Sequence, residues 1–212
     1  MQHRHPGYKY TSIYRSKDST IFCSDKVNAF NTKDFCLAID RFFRSGNSSL
    51  TVNFERVVKA YPNGILPIIA SLDALRDMGA DVYVKLPLKP DTRKLFRSVN
   101  WAHFLSPKQF DISESAHERH LVTRRFENAK EQKAVVDDFM DVVLRTMKMP
   151  RDIISGLEWS INEITDNVLN HSESPFGGLI QASTYIKDKT IAFAVVDSGR
   201  GILNSMQEGF PL

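Results

Sequence analysis

Ile153 to His171, reading Ile-Ile-Ser-Gly-Leu-Glu-Trp-Ser-Ile-Asn-Glu-Ile-Thr-Asp-Asn-Val-Leu-Asn-His, is the stretch on which the reading of the chain turns. Ile154, Leu157, Ile161, Ile164 and Val168 recur at spacings of three and four, which is the core stripe of an amphipathic helix. Pro150 and Asp152 suit its start. On a different face Glu163 and Asn167 stand four apart, one turn above the other, and Asn170 and His171 continue that polar strip. A carboxylate beside an amide oxygen can hold a hydrated Mg²⁺. The amide oxygen ligates the metal, and the carboxylate orients or deprotonates a water. The same pair also suits an ordinary solvated face, since exposed helix surfaces offer such pairs freely.

A second stretch narrows the choice. Ile191-Ala192-Phe193-Ala194-Val195-Val196 is a continuous apolar run, short enough for a strand buried on both faces. It stops at Asp197, followed by Ser198-Gly199-Arg200-Gly201. A carboxylate at a strand end can accept a hydrogen bond from an exocyclic amine. Glycines beside it let the backbone approach a flat ring without a Cβ in the way. Taken alone, this pattern is also a plain strand-to-loop turn.

In this order and at this separation, the two stretches resemble the GHKL ATPase superfamily, which includes histidine kinases, anti-sigma-factor kinases, gyrase, Hsp90 and MutL. Asn162 to His171 resembles its N-box, and Val195 to Ile202 its first glycine box. The resemblance covers roughly residues 120–212. It implies that Asn167 binds Mg²⁺ and that Glu163 is the general base of the ATPase and serine-kinase branches. It further implies that Asp197 binds adenine and that Gly199 and Gly201 are the box glycines. Asp166 and His171 also fit the N-box pattern, and Asn170 and His171 fall close to where family members approach the phosphates. The family's ATP lid and second glycine box follow the first box by some tens of residues, whereas Leu212 comes eleven residues after Gly201. The resemblance therefore implies an ATPase-type domain cut before its lid.

Composition bounds the alternatives. A chain of 212 residues has room for one large domain or two small ones. With 42% hydrophobic and 25% charged residues, it falls among ordinary soluble globular proteins. The net charge of +3 is spread along the chain, which speaks against a nucleic-acid binder and weakens the analogy with gyrase or MutL. No apolar stretch approaches the roughly 18–20 residues that span a bilayer, and Met1 to Pro6 lacks a signal peptide's apolar core. Cys23 and Cys36 read as free thiols, so the cytoplasm is the expected location.

Upstream, residues 1–20 form a polar tail in which His3 and His5 read as part of a frayed end. Cys23 to Ala29 suits a short strand or turn, and Asp34 to Phe43 a helix. Leu50 to Phe54 alternates as a half-buried strand does, Ile65 to Met78 is helical with Gly79 as its cap, and Asp81 to Leu86 is the next strand. This is a βαβ unit, which favours parallel strands. Leu50 to Leu86 resembles a STAS domain, the fold of anti-sigma-factor antagonists. The family's phospho-accepting serine at the start of the helix has no counterpart, because no serine or threonine lies between Val58 and Ala70. Residues 21–106 are thus expected to form a STAS-like docking or regulatory module. A βαβ piece of no special lineage is the plainer reading.

Residues 107–119 are polar and suit a linker. His117 and His120, with Glu114 and Glu118 nearby, lack the further well-spaced ligand of a metal site. In residues 120–212 the expected order is a strand over Leu121 to Phe126, a helix over Glu127 to Met147, the motif helix and a loop to Gly178. Two strands follow, joined by Lys187-Asp188-Lys189. The expected fold class is α/β: a STAS-like βαβ unit, then part of a GHKL-type α/β sandwich with helices on one face of a mixed sheet. The expected activity is that of a Mg·ATP-binding regulatory protein, an ATPase or anti-sigma-type serine kinase acting on a protein partner. Family members occur both as homodimers and as single modules. The alternative is a non-catalytic interaction scaffold with a vestigial nucleotide site.

Overall fold

A computed structural model of the chain describes residues 14–15, 19–113, 120–185 and 189–201. The expectations for His3, His5, Glu114, His117, Glu118, Lys187-Asp188 and Ile202 fall outside the described residues. The protein is α/β, with two sheets. The first has the order β1 (Tyr14–Arg15), β2 (Thr20–Val27), β3 (Ser49–Ala60) and β4 (Asp81–Lys85). Strands β2, β3 and β4 run parallel, and β1 is antiparallel on the β2 edge. Helices α1 (Ala29–Arg44) and α2 (Pro62–Asp77) are the crossovers, so the expected βαβ unit is present, with a second one ahead of it.

Local sequence explains the start of each helix. The Asn28 side chain accepts from the Phe30 amide, while the Asn28 amide donates to Asn31 Oδ1, a reciprocal cap that starts α1 five residues before the expected Asp34. Pro62 opens α2, where its missing N–H costs nothing. The two helix starts touch at Gly64, where a Cβ would lie 2.5 Å from the Asn28 nitrogen; only glycine fits.

Beyond β4 come α3 (Pro90–Ser98) and the short α4 (Trp101–Leu105). The described part of the polar connector lies along β4: Gln109 Oε1 accepts from the Val84 amide at 2.7 Å, occupying a group on that open edge. The second sheet has the order β5 (His120–Phe126), β6 (Gly178–Tyr185) and β7 (Thr190–Asp197), all antiparallel. Helices α5 (Ala129–Thr146) and α6 (Arg151–His171) precede its hairpin.

Side-chain alternation across this sheet decides what covers it. Ile180, Ala182, Ile191 and Val195 pack with Phe139, Val143, Ile161 and Val168 of α5 and α6. Leu179, Ala194 and Val196 instead join the core of the first half, around Ile65, Ile68 and Leu72 of α2. Helix α2 is therefore buried nearly all round, as its run Gly-Ile-Leu-Pro-Ile-Ile-Ala requires, and is packed between both sheets. Trp101 Nε1–H donates to Gln181 Oε1 at 2.6 Å, and the Thr123 amide donates to the Val99 carbonyl at 3.1 Å, binding the halves further.

Two expectations need correction. The run in β7 is not buried on both faces. This strand is the edge of its sheet among the described residues, and none of its side chains is buried; Phe193 is 37% exposed. Within the α6 stripe, Ile164 is exposed, and Thr165 takes the core position by donating its hydroxyl to the Ile161 carbonyl. No described helix is long and apolar enough to cross a membrane.

Candidate functional site

The motif helix α6 runs for 21 residues and buries only Ile161, Thr165 and Val168 along one narrow face. Glu163, Asn167, Asn170 and His171 all lie on exposed positions away from that face. Among the described residues, the side chains of Glu163, Asn167 and Asn170 make no hydrogen bond or ion pair. At ~1.5 Å of rise per residue, Asn167 stands about 6 Å and Glu163 about 12 Å back along the axis from His171. Asp166, by contrast, is turned toward α5, where Gln132 Nε2 donates to its Oδ1 at 2.8 Å and to Thr165 Oγ1 at 2.9 Å. It holds the helix pair together and takes no place on the polar strip.

The glycine turn is seated on the C-terminal end of this helix. The Gly199 amide donates to Asp197 Oδ1 at 2.8 Å, closing an Asx turn directly after β7. The Arg200 amide then donates to the Ser172 carbonyl at 2.8 Å, and Arg200 Nε to the His171 carbonyl at 3.2 Å. These bonds occupy carbonyls that a helix end leaves without intrahelical partners. Arg200 Nη1 also pairs with Glu173 at 3.2 Å, and the Ser174 and Ser198 hydroxyls meet at 3.1 Å. A Cβ on Gly199 would collide with the Ser172 carbonyl, so glycine is needed for this approach. Gly201 has φ +75° and open space where a Cβ would stand.

The two stretches singled out in the sequence thus meet, at His171–Ser174 on one side and Asp197–Gly201 on the other. The half-buried Asp197 keeps one carboxylate oxygen in the Asx turn, while its Oδ2 accepts no hydrogen bond among the described residues. Asp197 also faces Gly178 across the β6–β7 pair, which fixes where the carboxylate leaves the sheet.

Sequence reading missed the residues that hold the neighbouring α6–β6 loop, whose Ser172 and Ser174 touch this turn. Arg125 on β5 donates Nη1 to the Phe176 carbonyl at 2.8 Å and pairs through Nη2 with Asp73 of α2. Asp73 also holds Arg76 Nη1 at 2.8 Å, and Arg76 Nη2 reaches the Leu105 carbonyl. Burial pulls the Arg76 guanidinium below its ordinary value, and Asp73 opposes that shift. Arg125 and Asp73 stand 52 positions apart, and no local pattern announces such a pair.

Both cysteines are free, Cys23 buried and Cys36 exposed. No group of three His, Cys, Asp or Glu side chains that could hold a metal ion occurs among the described residues. Compared with protein-family models, curated proteins and solved structures, the chain matches none.

Proposed function

We propose that this protein is a Mg·ATP-binding regulatory protein of the GHKL type, with a STAS-like first half as its docking or regulatory module. The observation that carries this reading is the seating of the Asp197–Gly201 turn on the end of the helix that bears Glu163 and Asn167. Asp197 Oδ2 is an acceptor for the exocyclic amine of adenine, and the open space at Gly201 leaves room for a ring. Asn167 would supply an amide oxygen to Mg²⁺, which is held by few protein ligands plus phosphate oxygens. Bound Mg²⁺ would neutralise charge on the transferring phosphoryl group. Glu163 would take the proton from the attacking hydroxyl, of water or of a partner's serine, as that oxygen bonds the γ-phosphorus and ADP leaves; the resemblance puts Asn170 and His171 close to the phosphates.

A second reading, a non-catalytic interaction scaffold, draws on the outer face of the same helix. Trp159 is 66% exposed there, which is apolar surface suited to a protein partner. Glu163→Gln separates the two readings. On the nucleotide reading it abolishes phosphoryl transfer and leaves Mg·ATP binding within about twofold, because the carboxylate acts mainly in the transition state. Wild-type protein that neither binds nor turns over Mg·ATP leaves the scaffold.

A further inference from the structure

The loop between α6 and β6 is held from two sides. Toward α6 its Ser172 carbonyl accepts from the Arg200 amide of the glycine turn. Toward β5 its Phe176 carbonyl accepts from Arg125 Nη1, and the Arg125 guanidinium lies between two rings, 5.7 Å from the centre of Phe104 and 5.8 Å from that of Phe176. Gly177, at φ +59°, is pressed against the Phe126 carbonyl at the end of the same strand. Arg125 is only 21% exposed, and its carboxylate partner Asp73, 10% exposed, belongs to α2 of the first half. One guanidinium therefore joins three elements: the helix shared by both sheets, the short helix α4 and the loop beside the Asp197–Gly201 turn. Its neighbour Arg124 points the other way, to Asp138 of α5, and among the described residues pairs with nothing in the first half.

We infer that Arg125 is a positioning residue for the Asp197–Gly201 turn, linking Mg·ATP occupancy of that turn to the docking of α2 on the second sheet. The part concerning nucleotide rests on the function proposed above; the part concerning the loop does not. The fork geometry matters because one planar group must satisfy the Asp73 carboxylate and the Phe176 carbonyl together, which a lysine ammonium cannot do with the same directions. Linkage is reciprocal: whatever loosens α2 from the sheet weakens nucleotide binding, and bound nucleotide tightens α2 by the same factor.

The test is native-state amide exchange at Gly177 and Arg200, with Mg·ATP titration, on wild type, Arg125→Lys, Asp73→Asn and Arg124→Ala. Exchange at both amides is expected to rise about tenfold in Arg125→Lys and Asp73→Asn, with Kd for Mg·ATP weakened about tenfold, the scale of one charge-assisted hydrogen bond. Exchange in the middle of α5 stays at its wild-type rate, which a general loss of stability would not allow. Arg124→Ala moves neither quantity. Unchanged exchange at Gly177 and Arg200 in both test variants overturns the positioning role. Faster exchange with an unchanged Kd overturns the link to nucleotide. Wild type that binds no Mg·ATP sinks the nucleotide reading, while the exchange rates still decide the role of Arg125. Asp73→Asn keeps side-chain volume and carries the test if Arg125→Lys does not fold.

Discussion

Gly199 and Ser172 approach so closely that the glycine's missing side chain is what lets the turn after β7 rest on the end of α6. The Arg200 amide, one residue on, completes the contact by donating to the Ser172 carbonyl at 2.8 Å. Two sequence stretches that could each be ordinary alone become one structural unit through this contact.

The two glycines of that turn are expected to respond differently to substitution. Gly199→Ala drives a methyl into a backbone carbonyl, so the turn must lift off α6. A loss of about 1–3 kcal/mol is expected, as for other overpacked sites, with faster exchange of the Arg200 amide. Gly201→Ala meets no neighbour among the described residues and bears only the left-handed strain of roughly 1–2 kcal/mol. Its Arg200 amide should stay protected. Hydrogen exchange and thermal melts on the pair distinguish the cases.

Gln181 is a buried junction between the halves. Its Oε1 accepts from Trp101 Nε1 at 2.6 Å and from the Thr123 hydroxyl at 3.0 Å. Gln181→Leu keeps most of the volume but leaves the indole N–H and the hydroxyl without an acceptor. A loss of about 1–3 kcal/mol is expected, and Gln181→Glu, which keeps the acceptor but buries an unpaired carboxylate, should lose at least as much. Urea unfolding of both variants measures the difference.

Cys23 sits in β2 at 1% exposure, and burial pushes its thiol well above the ordinary thiol range. One thiol per chain, Cys36, should therefore react with a thiol reagent in the native state, and two after unfolding. Stability carries the matching sign. Below the unfolded thiol value of about 8.5 the native and unfolded chains hold the same Cys23 proton, and the full stability is present. Above it the unfolded chain releases that proton while the native chain keeps it, so stability falls by up to about 1.4 kcal/mol per pH unit. Cys23→Ala removes this slope, as unfolding between pH 7 and 10 can show.

Much of this arrangement was legible in the sequence, for identifiable reasons. The α6 stripe, the alternation in Leu50–Phe54 and the Asp-Ser-Gly-Arg-Gly stop are local periodicities, and local periodicity sets element type. Early residues of α1 were missed because its start is fixed by the Asn28 cap and not by apolar spacing. Ile164 was misread because two adjacent candidates competed for one core position, and Thr165 satisfies its hydroxyl on its own helix. The apolar run of β7 gave no sign of standing at an edge, since strand order is a property of pairing. The Asp73–Arg125 pair lay beyond reach for the same reason. Its two residues stand 52 positions apart and meet only through the tertiary fold.

Mg·ATP titration by calorimetry, on wild type and on Asp197→Asn, tests the central claim most directly. Asp197→Asn keeps an acceptor oxygen for the Gly199 amide, so the turn survives while the carboxylate is lost. Saturable one-site binding by wild type, weakened at least about tenfold by the substitution, is the expected result. No binding by wild type, or equal binding by both proteins, would contradict the assignment of the Asp197 turn as a nucleotide site.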